Sequence, residues 1–236
     1  NSPGTNFYSV THGILTPPEA LERLDSADLR VLLKRPEKYD PRFRELLQAI
    51  FQRIVDLRGG LRGEKLVRLD GSVLVSSAAT ITPFHFDPEV SFFFQIEGEK
   101  LYHLFAPSVL TEPELEQFYV KSIVDIGELR FAGRDRAREH VFALRPNFGM
   151  HQPQKAPHWV ETSGSRSISY VVSFETDATR ARGRTRSFNH YLRKAGMTPQ
   201  RVGSDPARDA MKAGAMRAFV PARKQLGNTL RKALGR

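Results

Sequence analysis

Between Thr82 and Phe105 the chain reads TPFHFDPEVSFFFQIEGEKLYHLF, and this stretch limits the possible folds more than any other. It is dense in aromatic and aliphatic side chains, as a buried strand pair would be, yet it carries a histidine, an aspartate and a lysine. Alternate side chains of a strand point the same way. His85 and Asp87 therefore share one face, and Phe84 and Phe86 share the other. The phenylalanine side can pack on a second layer, so the His/Asp side must meet something polar. Lys100 follows the turn Glu97-Gly98-Glu99. One reading makes it a surface lysine at a hairpin end. The other points its ammonium inward, where it needs an anion, because an unpaired buried charge is very costly.

The flanking sequence supplies layers for such a core. Thr16-Pro17 and Asp40-Pro41 are helix starts. After the second, Phe43, Leu46, Leu47, Ile50, Phe51, Ile54 and Leu57 recur at steps of three and four, which predicts a long amphipathic helix ending near Gly59-Gly60. The N-terminal third thus reads as helical. From about Leu66 the period changes to two, with strands expected through Val73 and Val75, from Ile81, and at 92–96, 101–105, 141–145 and 167–174. Thr111 caps a short helix between them. The Arg-rich stretch Ala178 to Arg186 lacks large apolar residues and reads as a linker or exposed strap. Asp205-Pro206 opens a helical tail with Met211, Met216, Phe219 and Leu226 on a docking face. Three regions are expected: a helical buttress over 1–65, a strand-rich core over 66–176 and a basic, partly helical extension over 177–236.

With no cysteine among its 236 residues, the chain can hold a metal only through His, Asp or Glu. His85 and Asp87 can both ligate one divalent ion, and a catalytic metal needs a third ligand. His158, in KAPHWVETSGSRSISYVVSF, is the best candidate, since it stands just before a strand and Pro157 stiffens its approach. His103 has the parity of Leu101 and Phe105, the packing face, and His151 sits in a Gln/Pro-rich turn. His12, His140 and His190 read as ordinary. Two histidines and a carboxylate leave three neighbouring positions open, which suits non-haem Fe(II), although Mn, Co, Ni and Zn accept the same donors. A dicarboxylate chelating the metal at one end would give Lys100 its anion at the other, with the Thr82 hydroxyl donating to the same carboxylate. Tyr8, Tyr102 and Tyr170 are candidates to line the pocket.

TPFHFDPEVSFFFQIEGEK, together with the late APHWV, resembles the Jumonji-C and cupin-like Fe(II)/2-oxoglutarate oxygenases. It is most similar to their bacterial cupin-like branch and to the asparaginyl hydroxylase of hypoxia-inducible factor. The resemblance implies a double-stranded β-helix, a jelly-roll relative, with flanking helices. It makes His85, Asp87 and His158 the iron ligands, and Lys100 and Thr82 the anchors for the far carboxylate of 2-oxoglutarate. Ser91 and Ser173 stand where the hydroxylase has asparagines near the metal-bound end of that cosubstrate. GMHQPQKAPHWV also lacks the acidic residue and apolar run usual before the last ligand. Asp87 is retained, unlike in halogenating relatives. The implied activity uses O2 to couple decarboxylation of 2-oxoglutarate to C–H hydroxylation of a protein, small molecule or RNA.

Two other classes stay open: a non-catalytic regulator or nucleic-acid-binding module, and a metal-dependent isomerase or dioxygenase of the wider cupin group. Charge bears on the first. Residues 176–236 carry 15 Lys and Arg against three Asp, while the remainder carries 21 against 23 acids. This asymmetry suits an anionic partner, and equally a solvated tail or the packing of a homodimer. With no apolar run of membrane-spanning length and no visible signal peptide, the cytoplasm is the expected location.

Overall fold

A computed structural model describes residues 2–5, 15–121 and 130–233; the side chains of residues 121 and 220–233 lie outside the description. The chain divides into two compact units. One comprises residues 1–110 and 126–176, and the other 111–125 and 177–236.

In the first unit the elements run α1 (Pro17–Glu22), β1 (Arg30–Lys34), α2 (Pro41–Leu57), β2 (Leu66–Ser76), β3 (Ile81–His85), β4 (Val90–Glu97), β5 (Lys100–Phe105), β6 (Glu139–Leu144), β7 (Gly149–Gln152), β8 (His158–Thr162) and β9 (Ser167–Thr176). They form two antiparallel sheets, ordered β1-β2-β9-β4-β7 and β3-β8-β5-β6. From β2 onward the chain passes from one sheet to the other at every connection except β5–β6, which is the double-stranded β-helix.

That alternation revises the expected hairpin. β4 and β5 are not paired; the turn at Gly98 carries the chain from one sheet to the other. Gly98 has φ +69, and a Cβ there would sit 2.1 Å from the Arg166 carbonyl oxygen, so only glycine makes this turn.

Between the sheets lie Phe93, Val171, Leu74 and Met150 from one, and Tyr102, Leu144 and Val160 from the other. The outer face of the five-stranded sheet, with Val90, Tyr170, Val172 and Phe174, is covered by α2 through Leu47 and Ile54, with Phe43, Ile50 and Phe51 alongside. Each such buried side chain contributes about 1.5–3 kcal/mol of burial. Asp40 caps α2 by accepting from the Arg42 N–H at 2.9 Å. Gly59 and Gly60, at φ +70 and +95, end it, and the Gly60 N–H reaches back to the Val55 carbonyl at 2.8 Å.

The second unit contains α3 (Glu112–Lys121), α4 (Asp177–Lys194) and α5 (Pro206–Ala233). The stretch expected to be a linker is the first half of α4. Its want of large apolar residues is how the helices approach closely: Gly183 lies against the Tyr119 ring, which a Cβ would meet at 2.7 Å. Two of the unit's buried polar groups are paired with a basic side chain. Glu116 accepts two bonds from Arg193, at 2.8 and 3.0 Å, and Asn189 Oδ1 accepts from Lys212 Nζ at 2.6 Å. On the tail, Met216 is buried and Met211 exposed, so the expected docking face is only partly a face; the Leu226 side chain lies outside the described residues. Among the described residues no helix is long and apolar enough to cross a membrane.

Candidate metal centre

Strand register builds the site. His85 is the last residue of β3 and lies directly opposite His158, the first residue of β8. Asp87 stands just beyond the end of β3, rather than within a strand as the alternation implied. Ligand atoms of these three side chains all lie within 4.8 Å of one another. His85 Nε2 is 3.9 Å from Asp87 Oδ1, and His158 Nε2 is 3.8 Å from Asp87 Oδ2.

Each imidazole is turned by its other nitrogen. His85 Nδ1–H donates to the Pro83 carbonyl at 2.8 Å, and His158 Nδ1–H donates to the Ala156 carbonyl at 3.1 Å. Both Nε2 lone pairs are thereby left for a metal. Burial pushes the His85 imidazole below its usual range; burial, with His85 beside it, pushes His158 down to about 3. Two neutral imidazoles and a carboxylate, with nitrogen orientation fixed by backbone carbonyls, fit a divalent ion. Tyr102 stacks on His158, with ring centroids 5.4 Å apart.

Deeper in the barrel lies Lys100, 6% exposed. It shares the inward parity of Tyr102 and Leu104, whose cross-strand neighbours on β8 are Val160 and His158. No carboxylate pairs with it among the described residues. Burial, with the charge of Arg30 adding to it, pushes the ammonium down to about 8. Arg30, opposite Ser76 on β1, also acts electrostatically on His85.

Thr82 faces inward too, across from Val160. Strict alternation would turn it away from His85. The register instead sets Thr82 against Val160 and His85 against His158, three steps on β3 against two on β8. This bulge brings both inward. Ser91 and Ser173 are direct cross-strand partners with the inward parity of Phe93 and Val171, and Gln152 flanks Ser91 on the other side.

The rival histidines lie elsewhere. His103 stacks on Trp159 at 3.5 Å, and its Nδ1 is 3.0 Å from Glu139 Oε1. His151 is in β7, not a turn, with its ring 4.6 Å from Phe92 on the outer side. Tyr170 also faces outward, packed with α2, so it lines no inner pocket. Tyr8 and His12 lie outside the described residues.

Three side chains around the site had no signal in the sequence reading. Gln152 Nε2 donates to Asp87 Oδ2 at 3.4 Å. Glu89, which pairs with Arg68, has its carboxyl raised by burial and by Asp87. Arg30 occupies a stretch read as helical.

Fold and site together define a double-stranded β-helix protein with a His-Asp-His group competent for a divalent metal. Neither a protein-family model nor a curated protein matches the chain. Similar solved structures include the DMSP lyase DddQ from Ruegeria pomeroyi DSS-3, at 17% identity and TM-score 0.29, covering 45% of this chain and 38% of that one. The oxalate decarboxylase of Lactobacillus farciminis, as a formate complex, matches at 12% identity and TM-score 0.31, covering 46% and 24%. The matched part thus spans well under half of either protein, and likeness at this level says nothing about activity.

Proposed function

We propose that this chain is an Fe(II)- and 2-oxoglutarate-dependent oxygenase, a hydroxylase acting on a C–H bond of its substrate. The observation that carries the reading is the pairing of the His85/Asp87/His158 group with a buried ammonium, Lys100, that lacks an acidic partner among the described residues. A metal site alone does not call for such a cation. Four steps along β5, about 13 Å of strand, separate Lys100 from Leu104, the neighbour of His158. A lysine side chain and a five-carbon diacid chelated at its keto-acid end together fill that gap.

His85, Asp87 and His158 would hold the ferrous ion and leave adjacent positions free. The ion, with 2-oxoglutarate and O2, supplies oxidative decarboxylation to succinate and carbon dioxide, and the oxidation of a C–H bond. Lys100 neutralises the far carboxylate, and Thr82 donates its hydroxyl to the same group. Ser91 and Ser173 face the nearer end of the cosubstrate, where a short hydroxyl orients it less directly than an asparagine. Tyr102 and Phe93 keep the His158 side of the site dry.

The test is succinate formation by the full chain with Fe(II), ascorbate and 2-oxoglutarate. Asp87→Ala is expected to lose both iron binding and turnover. Equal iron binding by the two proteins would remove the ligand assignment. Full turnover in Lys100→Ala would instead point to a metal-dependent enzyme with another cosubstrate.

A further inference from the structure

Gln152 is 1% exposed and sits at the end of β7, opposite Ser91, with inward parity. Its Nε2 donates to Asp87 Oδ2 at 3.4 Å, a long hydrogen bond. Its Oε1 is buried and has no hydrogen-bond partner among the described residues. A leucine or methionine would fill the same volume without leaving an acceptor unsatisfied, so stability alone does not account for an amide here.

We propose that Gln152 is a positioning residue that makes Asp87 a one-oxygen ligand. A carboxylate free at both oxygens can chelate a divalent ion and occupy two coordination positions. Both Asp87 oxygens lie near an imidazole, Oδ1 at 3.9 Å from His85 Nε2 and Oδ2 at 3.8 Å from His158 Nε2, so the Gln152 amide is what sets them apart: with Oδ2 held by it, Oδ1 would be the metal's donor, and one more position would stay open for ligands that must bind side by side. The inference rests on the metal-centre reading and does not depend on which reaction follows.

The probe is Mn(II) alone, added to the metal-free full chain, with inner-sphere water counted by proton relaxivity. In Gln152→Met the metal-free melting midpoint is expected to stay level or rise, since an unsatisfied acceptor is removed. The inner-sphere relaxivity of bound Mn(II) is expected to fall by about one water in three, as Asp87 closes onto the metal with both oxygens. Gln152→Leu is read in the same way should the methionine variant not fold. Relaxivity equal to wild type in a folded variant overturns the proposal. Asp87→Ala separates the two levels. If it binds Mn(II) as wild type does, the metal centre itself is misassigned; if it loses Mn(II) while Gln152→Met matches wild type, only the role of Gln152 fails.

Discussion

Lys100 costs the empty protein stability. Folded, it sheds its proton near 8, against an ordinary 10.5. Below pH 8 both states are protonated and the full cost of burying the charge is present. Between 8 and 10.5 the unfolded chain binds more protons than the folded one, so stability rises with pH through that window. Lys100→Met is therefore expected to stabilise the ligand-free protein below pH 8 by about 3 kcal/mol at most, with the gain shrinking towards pH 10.5. Urea unfolding at several pH values reads this directly, and a variant less stable than wild type throughout would mean Lys100 already has its anion within the protein. Added 2-oxoglutarate should stabilise wild type and not the variant. At this scale the sequence was informative where chemistry is rare: a His-x-Asp at a strand end, a lysine in an apolar run and a histidine after proline. It was silent on Gln152, because four residues of β7 are too few to establish a period and an amide has no spacing rule.

Elements were legible where a period ran long enough. α2 follows its heptad-like steps and ends at its two glycines, although Leu46 and Leu57 remain exposed. β1 was missed because RVLLK, five residues between two helix starts, carries no alternation that separates it from helix. The front of α4 was missed for the opposite reason: its small residues, which permit close packing, resemble a linker in composition. Two substitutions separate the layers. Ile54→Ala, on the outer side of the five-stranded sheet, is expected to cost about 2–5 kcal/mol of stability while leaving metal affinity unchanged. Gly98→Ala is expected to cost about 1–3 kcal/mol, since it places a side chain at positive φ against the Arg166 carbonyl. It should also raise the KM for 2-oxoglutarate, because the displaced turn carries Lys100. Denaturation curves paired with a succinate assay distinguish the two.

For the molecule as a whole, the ligand set is arranged by register, two carbonyl hydrogen bonds and the apolar layer between the sheets. Stripping metal with a chelator is expected to leave the circular dichroism spectrum and a cooperative melt intact. Restoring the ion at a hundredfold excess over its Kd should add about 2.7 kcal/mol, measured as a raised midpoint. A protein that unfolds on chelation would instead owe its first unit to the ion. The bulge in β3 has a consequence for how such a chain can change over time. Point replacements at Pro83 or Phe84 alter volume, and losing either one would leave two steps against two, a regular pairing in which Thr82 and His85 still share the inner face. Between 82 and 85 natural variation can therefore drop the surplus residue and keep both side chains inward, whereas the same loss between His158 and Val160, which hold no surplus, would put those two on opposite faces and cost the pocket a ligand.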